Sequence, residues 1–322
     1  MGYLVKDFLG KRGKKGDLGI EIEVEGENLP LTGILGWAAK PDGTLGAGGV
    51  EYTTTAPIEV SEKQQSIRLI TDALSPKKYK IKNPCSRGSV HVHSNFLNST
   101  PVQYWTSATA YWLTENLLFN FCDPYRKGNC FCLRLTDGEG VLKTILNDLR
   151  KDRPFSLLST NNIRYCGQNL AATAKFGSIE YRGMSSTVDF DKINTWTSEL
   201  HNLKVNVNKH YKNPSDLMDS YLKLDAKDFL ESIYGVGFIR EITKDKSWRD
   251  NLSENAGIIS ELAYTHDWDE WASKIDDILK NKGAQEIIFP EDLHADFGEI
   301  PQAARTFVNT TNGITANTIT LR

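Results

Sequence analysis

Leu18-Gly19-Ile20-Glu21-Ile22-Glu23-Val24 decides how this chain is read. Successive side chains of a β-strand point to opposite faces. Leu18, Ile20, Ile22 and Val24 therefore share one face, and Gly19, Glu21 and Glu23 share the other. The apolar row calls for a covering layer. The acidic row is either a solvated outer face, which Glu25 would simply continue, or a pair of carboxylates held for chemistry. Taken alone, the stretch leaves both open.

The same alternation recurs outward along the chain. Residues 50–55 are rich in β-branched side chains, 89–95 alternate, and 161–166 and 175–183 read as further strands. Residues 31–49, with Pro41-Asp42-Gly43, read as loop. Helical periodicity covers 61–74, about 100–121, 140–149 and 189–211. Thr100-Pro101 supplies an N-cap and a first-turn proline. Tyr104, Trp105, Ala108, Trp112 and Leu118 on that helix read as a core stripe. Beyond Pro214 the pattern is helical at 215–224, 226–234, 253–264 and 267–282, without a cluster of acids or histidines. Asn312-Gly313, inside 307–321, is a hairpin signal. Together these predict an α+β fold: an antiparallel sheet built within 16–190, backed on its apolar face by helices 100–121 and 189–211, with a helical C-terminal region.

Composition narrows the function classes. The chain has 322 residues, 39% hydrophobic and 25% charged, with a net charge of -3. That is ordinary for a globular protein able to bury a core, and it gives no reason to expect a nucleic-acid partner. Lys11, Arg12, Lys14 and Lys15 are interrupted by glycines and read as a solvated turn, since no Walker spacing follows. Five cysteines without a CxxC read as buried or free thiols in a reducing compartment. No apolar run approaches the ~18 residues of a membrane span. A soluble, cytoplasmic protein is expected.

Three clusters could carry chemistry, all before residue 190. Glu21-x-Glu23 is the first. His91-x-His93 is the second, and paired imidazoles on one strand face can hold metal or phosphate. Glu180 and Arg182 form the third and also leave one strand face together; a surface ion pair is the bland alternative. If the strands share a sheet, their acids, histidines and arginine share one surface. Carboxylate oxygens suit a hard divalent cation, with phosphate completing its shell. Such a surface is a phosphoryl-transfer site in outline.

The order of these motifs resembles the amidoligase family, within the wider glutamine synthetase and glutamate–cysteine ligase superfamily. The residues that carry the resemblance are Gly19-Ile20-Glu21-Ile22-Glu23, Trp37 with Asp42-Gly43-Thr44 and Gly49-Val50-Glu51, Gly88-Ser89-Val90-His91-Val92-His93-Ser94, Arg164-Tyr165 with Asn169, and Phe176-Gly177-Ser178-Ile179-Glu180-Tyr181-Arg182. They span about residues 16–212, and the specificity lies in their order. The resemblance implies a glutamine-synthetase-like curved sheet and an ATP-dependent carboxylate–amine ligase working through an acyl phosphate, with Mg2+ or Mn2+. It implies metal ligation by Glu21, Glu23, Glu51, His91 and Glu180, and catalytic roles for Arg182, facing the transferred phosphoryl group, and Glu180. His93, Arg164, Asn169 and Asp42 fall at positions expected to contact nucleotide or substrate. The expected division is a catalytic domain at 1–212, with a helical appendage at 213–290, read from its helices without chemical clusters, and a C-terminal extension at 291–322. Expected partners are small-molecule or peptide carboxylates and amines, with no nucleic acid and no membrane. A homo-oligomer or a phage component, in the host cytoplasm if phage-encoded, is also open. The alternative is a catalytically silent, virion-associated protein that retains the fold.

Overall fold

The structure, a computed structural model, describes residues 2–11, 16–46, 48–82, 85, 87–155 and 161–282. The basic residues at 12–15 and the hairpin signal at 307–321 lie outside these residues. Six strands form one sheet: β1 (Leu18–Glu25), β2 (Trp37–Pro41), β3 (Gly49–Thr54), β4 (Ser89–Asn95), β5 (Gln168–Asn169) and β6 (Ser178–Ser185). Their order is β2-β3-β1-β4-β6-β5, and every neighbouring pair is antiparallel. With its helices, this is an α+β fold.

The alternation of β1 does what its sequence requires. Leu18, Ile20, Ile22 and Val24 are fully buried, together with Tyr52 of β3, Val90 and Val92 of β4, and Ile179 and Tyr181 of β6. Each large apolar side chain taken from water contributes roughly 1.5–3 kcal/mol. This row, more than any local propensity, joins the sheet to its backing. The backing helices are Pro101–Leu118 and Phe190–His210, which also pack on each other. Tyr111 of the first meets Tyr181 of β6 with ring centroids 4.9 Å apart. Thr100 caps that helix: its side chain accepts from Gln103 N at 3.2 Å, while the Gln103 side chain accepts from Thr100 N at 2.9 Å.

The helix Pro101–Leu118 carries more than a core stripe. All its residues except Val102 and Gln103 are buried. The reason is a further layer: helices Pro214–Lys223, Trp248–Ser253, Ala256–Ala263 and Trp268–Lys282 cover the side turned away from the sheet. Asn255 Nδ2 donates to Trp112 O at 2.7 Å, and the Tyr234 and Thr114 hydroxyls bond at 2.8 Å. The described residues all belong to one compact unit, Met1–Ile288.

Three local expectations are corrected. β2 lies inside the stretch read as loop. It is an edge strand on which only Trp37 is buried, so it has no apolar alternation to read, and its terminal Pro41 is tolerated at an edge. Residues Asn161–Tyr165 form a 3₁₀ turn rather than a strand, and the edge strand that follows, β5, is only two residues long. The stretch 175–183 begins as the end of helix Ala171–Phe176. That helix closes on Gly177 in the left-handed conformation (φ 76°), where a Cβ would fall 2.3 Å from Leu97 Cγ, so only glycine fits. The helical signal at 253–264 is the helix Ala256–Ala263, and the short helix Trp248–Ser253 precedes it. All five cysteines are free thiols, four of them buried.

Candidate metal and phosphate site

The face of the sheet opposite the core collects nearly every polar residue singled out in the sequence. Strand register sets the arrangement. Glu21 lies opposite His91, Gly19 opposite His93, and His93 opposite Glu180. Asn169 of β5 pairs with Glu180, Glu23 pairs with Glu51, and Lys40 of β2 pairs with Glu51. Directly opposed residues of an antiparallel pair share a face. Four strands that each alternate therefore build one continuous polar surface.

Bonds between these groups are short and mutual. His91 Nδ1 lies 3.1 Å from Glu21 Oε2 and 3.2 Å from Glu180 Oε1. Its Nε2 is 2.6 Å from the Ser89 hydroxyl, which donates to Glu23 Oε2 at 2.6 Å. His93 Nε2 sits 3.1 Å from Glu21 Oε1, and its Nδ1 is 3.0 Å from Ser178 Oγ. Asn169 Nδ2 donates to Glu180 Oε2 at 2.6 Å. Arg182 pairs with Glu180 through Nη1 and donates from Nε to the Phe131 carbonyl at 3.2 Å. Gly19 lies against this surface, where a Cβ would meet the His93 Cβ at 3.4 Å, an ordinary contact.

The charges divide the face into two groups. Ligand atoms of Glu21, His93 and Glu180 all lie within 4.8 Å of one another, as do those of Glu23, Asp42 and Glu51. In the first group, burial works to raise the Glu21 carboxyl, but hydrogen bonds and charge from His91 and His93 hold it well below the usual carboxylate range. Glu180 is lowered against its burial by Arg182 and both histidines. His93 is raised despite burial, chiefly by Glu21. In the second group, burial and then the charge of Glu21 push the Glu51 carboxyl up, with only Lys40 opposing. Lys40 Nζ lies 3.1 Å from Glu51 Oε1 on a side chain 62% exposed. Asp42, 9% exposed, uses Oδ1 to accept from Thr44 N at 2.8 Å and Thr44 Oγ1 at 2.7 Å, while its Oδ2 is buried with no partner.

Each group borders a cavity. One of about 230 Å³ opens beside Glu21 and His93, lined also by Gly19, Thr53, Thr54 and Phe176. Another of about 530 Å³ borders Asp42 and is lined by glycines and by Leu29, Leu31, Leu45 and Val50.

Glu21, Glu23, Glu51, His91, His93, Glu180, Arg182, Asn169 and Asp42 are thus brought together. Arg164 lies on the 3₁₀ turn before β5, its guanidinium over the Tyr165 ring at 5.1 Å. Two details differ from the resemblance. His93, expected toward the nucleotide, shares a ligand-atom grouping with Glu21 and Glu180, with His91 Nδ1 beside the same two carboxylates, and Asp42, expected to contact nucleotide or substrate, groups with Glu23 and Glu51. Lys40, Ser89 and Ser178 were not expected. Lys40 left no signal to read, because the edge strand that carries it buries only Trp37.

No family model matches the sequence, and no curated protein matches it. Among solved structures, the chain is similar to a bifunctional glutathione synthetase from Pasteurella multocida, at 9% sequence identity and a TM-score of 0.33. The match covers 87% of this chain and 50% of that one, so the chain spans about half the length of that structure. At that level the likeness assigns neither fold nor activity. Among the described residues, no helix is long and apolar enough to cross a membrane.

Proposed function

We propose that this sheet face binds Mg2+ and ATP, and that the protein is an ATP-dependent ligase joining a carboxylate to an amine. One observation carries the reading: two cation-sized groups of buried or half-buried carboxylates lie side by side on one face, with two imidazoles and one arginine among them. The donors are all oxygen and imidazole nitrogen, which suits a hard divalent ion. The buried, unpartnered Asp42 Oδ2 is the kind of orphaned atom that a cation satisfies. Glu21, His93 and Glu180 would hold one cation, and Glu23, Asp42 and Glu51 a second. Bound there, such ions neutralise phosphate charge and align the reactants.

The residues then divide the work. The cavity beside His93 takes the nucleoside, which sets the phosphates over Glu21 and Glu180. A substrate carboxylate oxygen attacks the γ-phosphorus, and ADP leaves with its bridging oxygen. The amine nitrogen next attacks the acyl carbon, phosphate departs, and the amine gives up a proton. Arg182, held in plane by Phe131 and Glu180, meets the oxygens of the transferring phosphoryl group, where charge shifts most. A partly buried face also limits water, which would hydrolyse the acyl phosphate.

The test uses the full chain with ATP, Mg2+ and a mixture of amino acids, with ADP and phosphate release followed beside mass spectrometry for a new amide. Equal release of ADP and phosphate that depends on both an acid and an amine supports the reading. Tight ATP binding without release reduces the protein to a silent binder. Absence of both Mg2+ and ATP binding removes the site altogether.

A further inference from the structure

Arg126 is fully buried, on the segment that follows the helix Pro101–Leu118. A guanidinium is costly to bury without a carboxylate partner. Among the described residues no carboxylate pairs with Arg126, and its Nη1 has no hydrogen-bond partner. Its remaining donors go to main-chain carbonyls: Nη2 to Arg182 O at 2.6 Å and Nε to Gly183 O at 3.3 Å.

Those two carbonyls occupy a special place. The register between β4 and β6 jumps from Val90↔Met184 to Val92↔Tyr181. Arg182 and Gly183 therefore stand together opposite the single residue His91, a β-bulge that re-aims a side chain. Carbonyls at a bulge lose regular ladder partners, and a planar fork holds two neighbouring ones in a fixed geometry that a rotatable ammonium does not impose. The same segment also reaches the other end of Arg182, because Phe131 O accepts from its Nε. Cys132 N donates to Asn129 O at 3.1 Å and Cys132 Sγ to Arg126 O at 3.5 Å, so the turn that carries Phe131 is tied to Arg126.

We propose that Arg126 is a positioning residue for Arg182: through the Arg182 and Gly183 carbonyls it fixes the bulge that aims the Arg182 guanidinium, while the Phe131 carbonyl fixes that guanidinium at Nε. The catalytic consequence rests on the function proposed above; the placement of Arg182 does not. Among the described residues, the Arg126 side chain donates to main-chain carbonyls alone. A misplacement of about 1 Å at such a distance costs on the order of 10²-fold in rate.

The experiment is a double-mutant cycle with an independent spectroscopic readout. Arg126→Lys, Arg182→Ala and the double variant are compared for single-turnover ATP cleavage and for thermal stability. Arg126→Lys is expected to lower the rate constant about 10²-fold with little change in ATP affinity. Once Arg182 is alanine, adding Arg126→Lys should cost nothing more, because its effect runs through a side chain already gone. Additive losses overturn the proposal and return Arg126 to a purely structural part. Nitrogen-15 NMR of the arginine Nε–H groups decides placement without turnover. The Arg182 signal, identified by its absence in Arg182→Lys, should be protected from exchange in the parent protein and should shift and broaden in Arg126→Lys. An unchanged signal in that variant overturns the proposal even if ATP is cleaved. If Arg126→Lys does not fold, the parent protein still decides, since rapid exchange of the Arg182 Nε–H would mean that nothing clamps it. A parent protein without ATP turnover but with the expected NMR change fails the ligase reading and leaves the clamp standing.

Discussion

Glu21 and Glu23 stand two residues apart on one strand face, yet the two ends of that face treat their carboxylates differently. Glu21 lies opposite His91 and Glu23 opposite Glu51. At the first end, two carboxylates share two imidazoles and Arg182, and both are held below the usual range. At the second, three carboxylates share one mostly exposed lysine, Glu51 is pushed up, and Asp42 Oδ2 is unpartnered. One end is neutralised by its own side chains, while the other keeps an excess of negative charge. Residue type does not decide how an acid behaves here; the partner that the register supplies does.

The comparison sharpens against a carboxyl with almost no help. Glu115 lies in the helix Pro101–Leu118, fully buried, and accepts one bond from Leu135 N at 2.7 Å. Burial pushes its carboxyl up from the ordinary 4.5 to about 8. The sign follows from linkage: a carboxyl raised in the folded state stays protonated there while the unfolded chain ionises. Its contribution to stability is complete below about pH 4.5 and is lost as pH rises toward 8. At about 1.36 kcal/mol per pH unit the total loss is roughly 5 kcal/mol at most. Urea unfolding across that range should show this slope in the parent protein and a much flatter one in Glu115→Gln. Equal slopes would break the contrast with Glu21, because Glu115 would then have an unrecognised partner.

Arg182 tests the neutralised end. A surface ion pair is worth ~0–1 kcal/mol, whereas a donor aimed at developing charge in a shielded site is worth roughly 3–4 kcal/mol, or ~10²–10³ in rate. Arg182→Ala should therefore lower single-turnover ATP cleavage by that factor with the fold intact and ATP affinity changed far less. Arg182→Lys should also be impaired, since it loses the planar fork. A variant with normal turnover makes the Glu180–Arg182 pair merely structural.

How much of this face was legible follows from what a period of two can encode. β1, β4 and the first half of β6 carry apolar and chemical residues in strict alternation, so their shared face was readable before any pairing was known. β2 was not, because an edge strand buries too little to leave a pattern. The meeting of Asp42 with Glu23 and Glu51 depends on the β2–β3 and β1–β3 registers, which no local stretch specifies. Arg126 was invisible for a stronger reason: its partners are backbone carbonyls 56 and 57 residues away, and main-chain acceptors leave no mark in a sequence.

The charged end should respond to cation in a way the neutralised end does not. Asp42→Asn keeps an oxygen to accept from Thr44 but removes one buried negative charge. Without Mg2+ it should be as stable as the parent or more so, because like charges beside Glu51 and Glu23 are relieved. A cation present at about 100 times its dissociation constant stabilises by roughly 2.7 kcal/mol. Asp42→Asn should lose much of that gain, visible as a smaller rise in Tm on adding Mg2+. A full Mg2+ response in the variant would show that Asp42 has no part in binding.

Lys40 gives the smallest effect, and its direction is the informative part. Among the described residues it is the only cation paired with Glu51, at 3.1 Å, but its side chain is 62% exposed. Water and salt screen such a pair, so Lys40→Met should change stability by no more than about 1 kcal/mol. The same substitution removes a positive charge beside the carboxylate-rich group. If that group takes a divalent ion, the ion no longer competes with the ammonium, and Mg2+ affinity should rise by a few-fold. Calorimetric titration at low and moderate salt separates the outcomes, because the gain should shrink as screening increases. A lysine that instead helps hold phosphate would give the opposite result: Mg2+ affinity would stay level while ATP affinity fell. A rise confined to Mg2+ assigns Lys40 to charge balance alone and leaves Arg182 as the basic side chain of this face that works on the phosphoryl group.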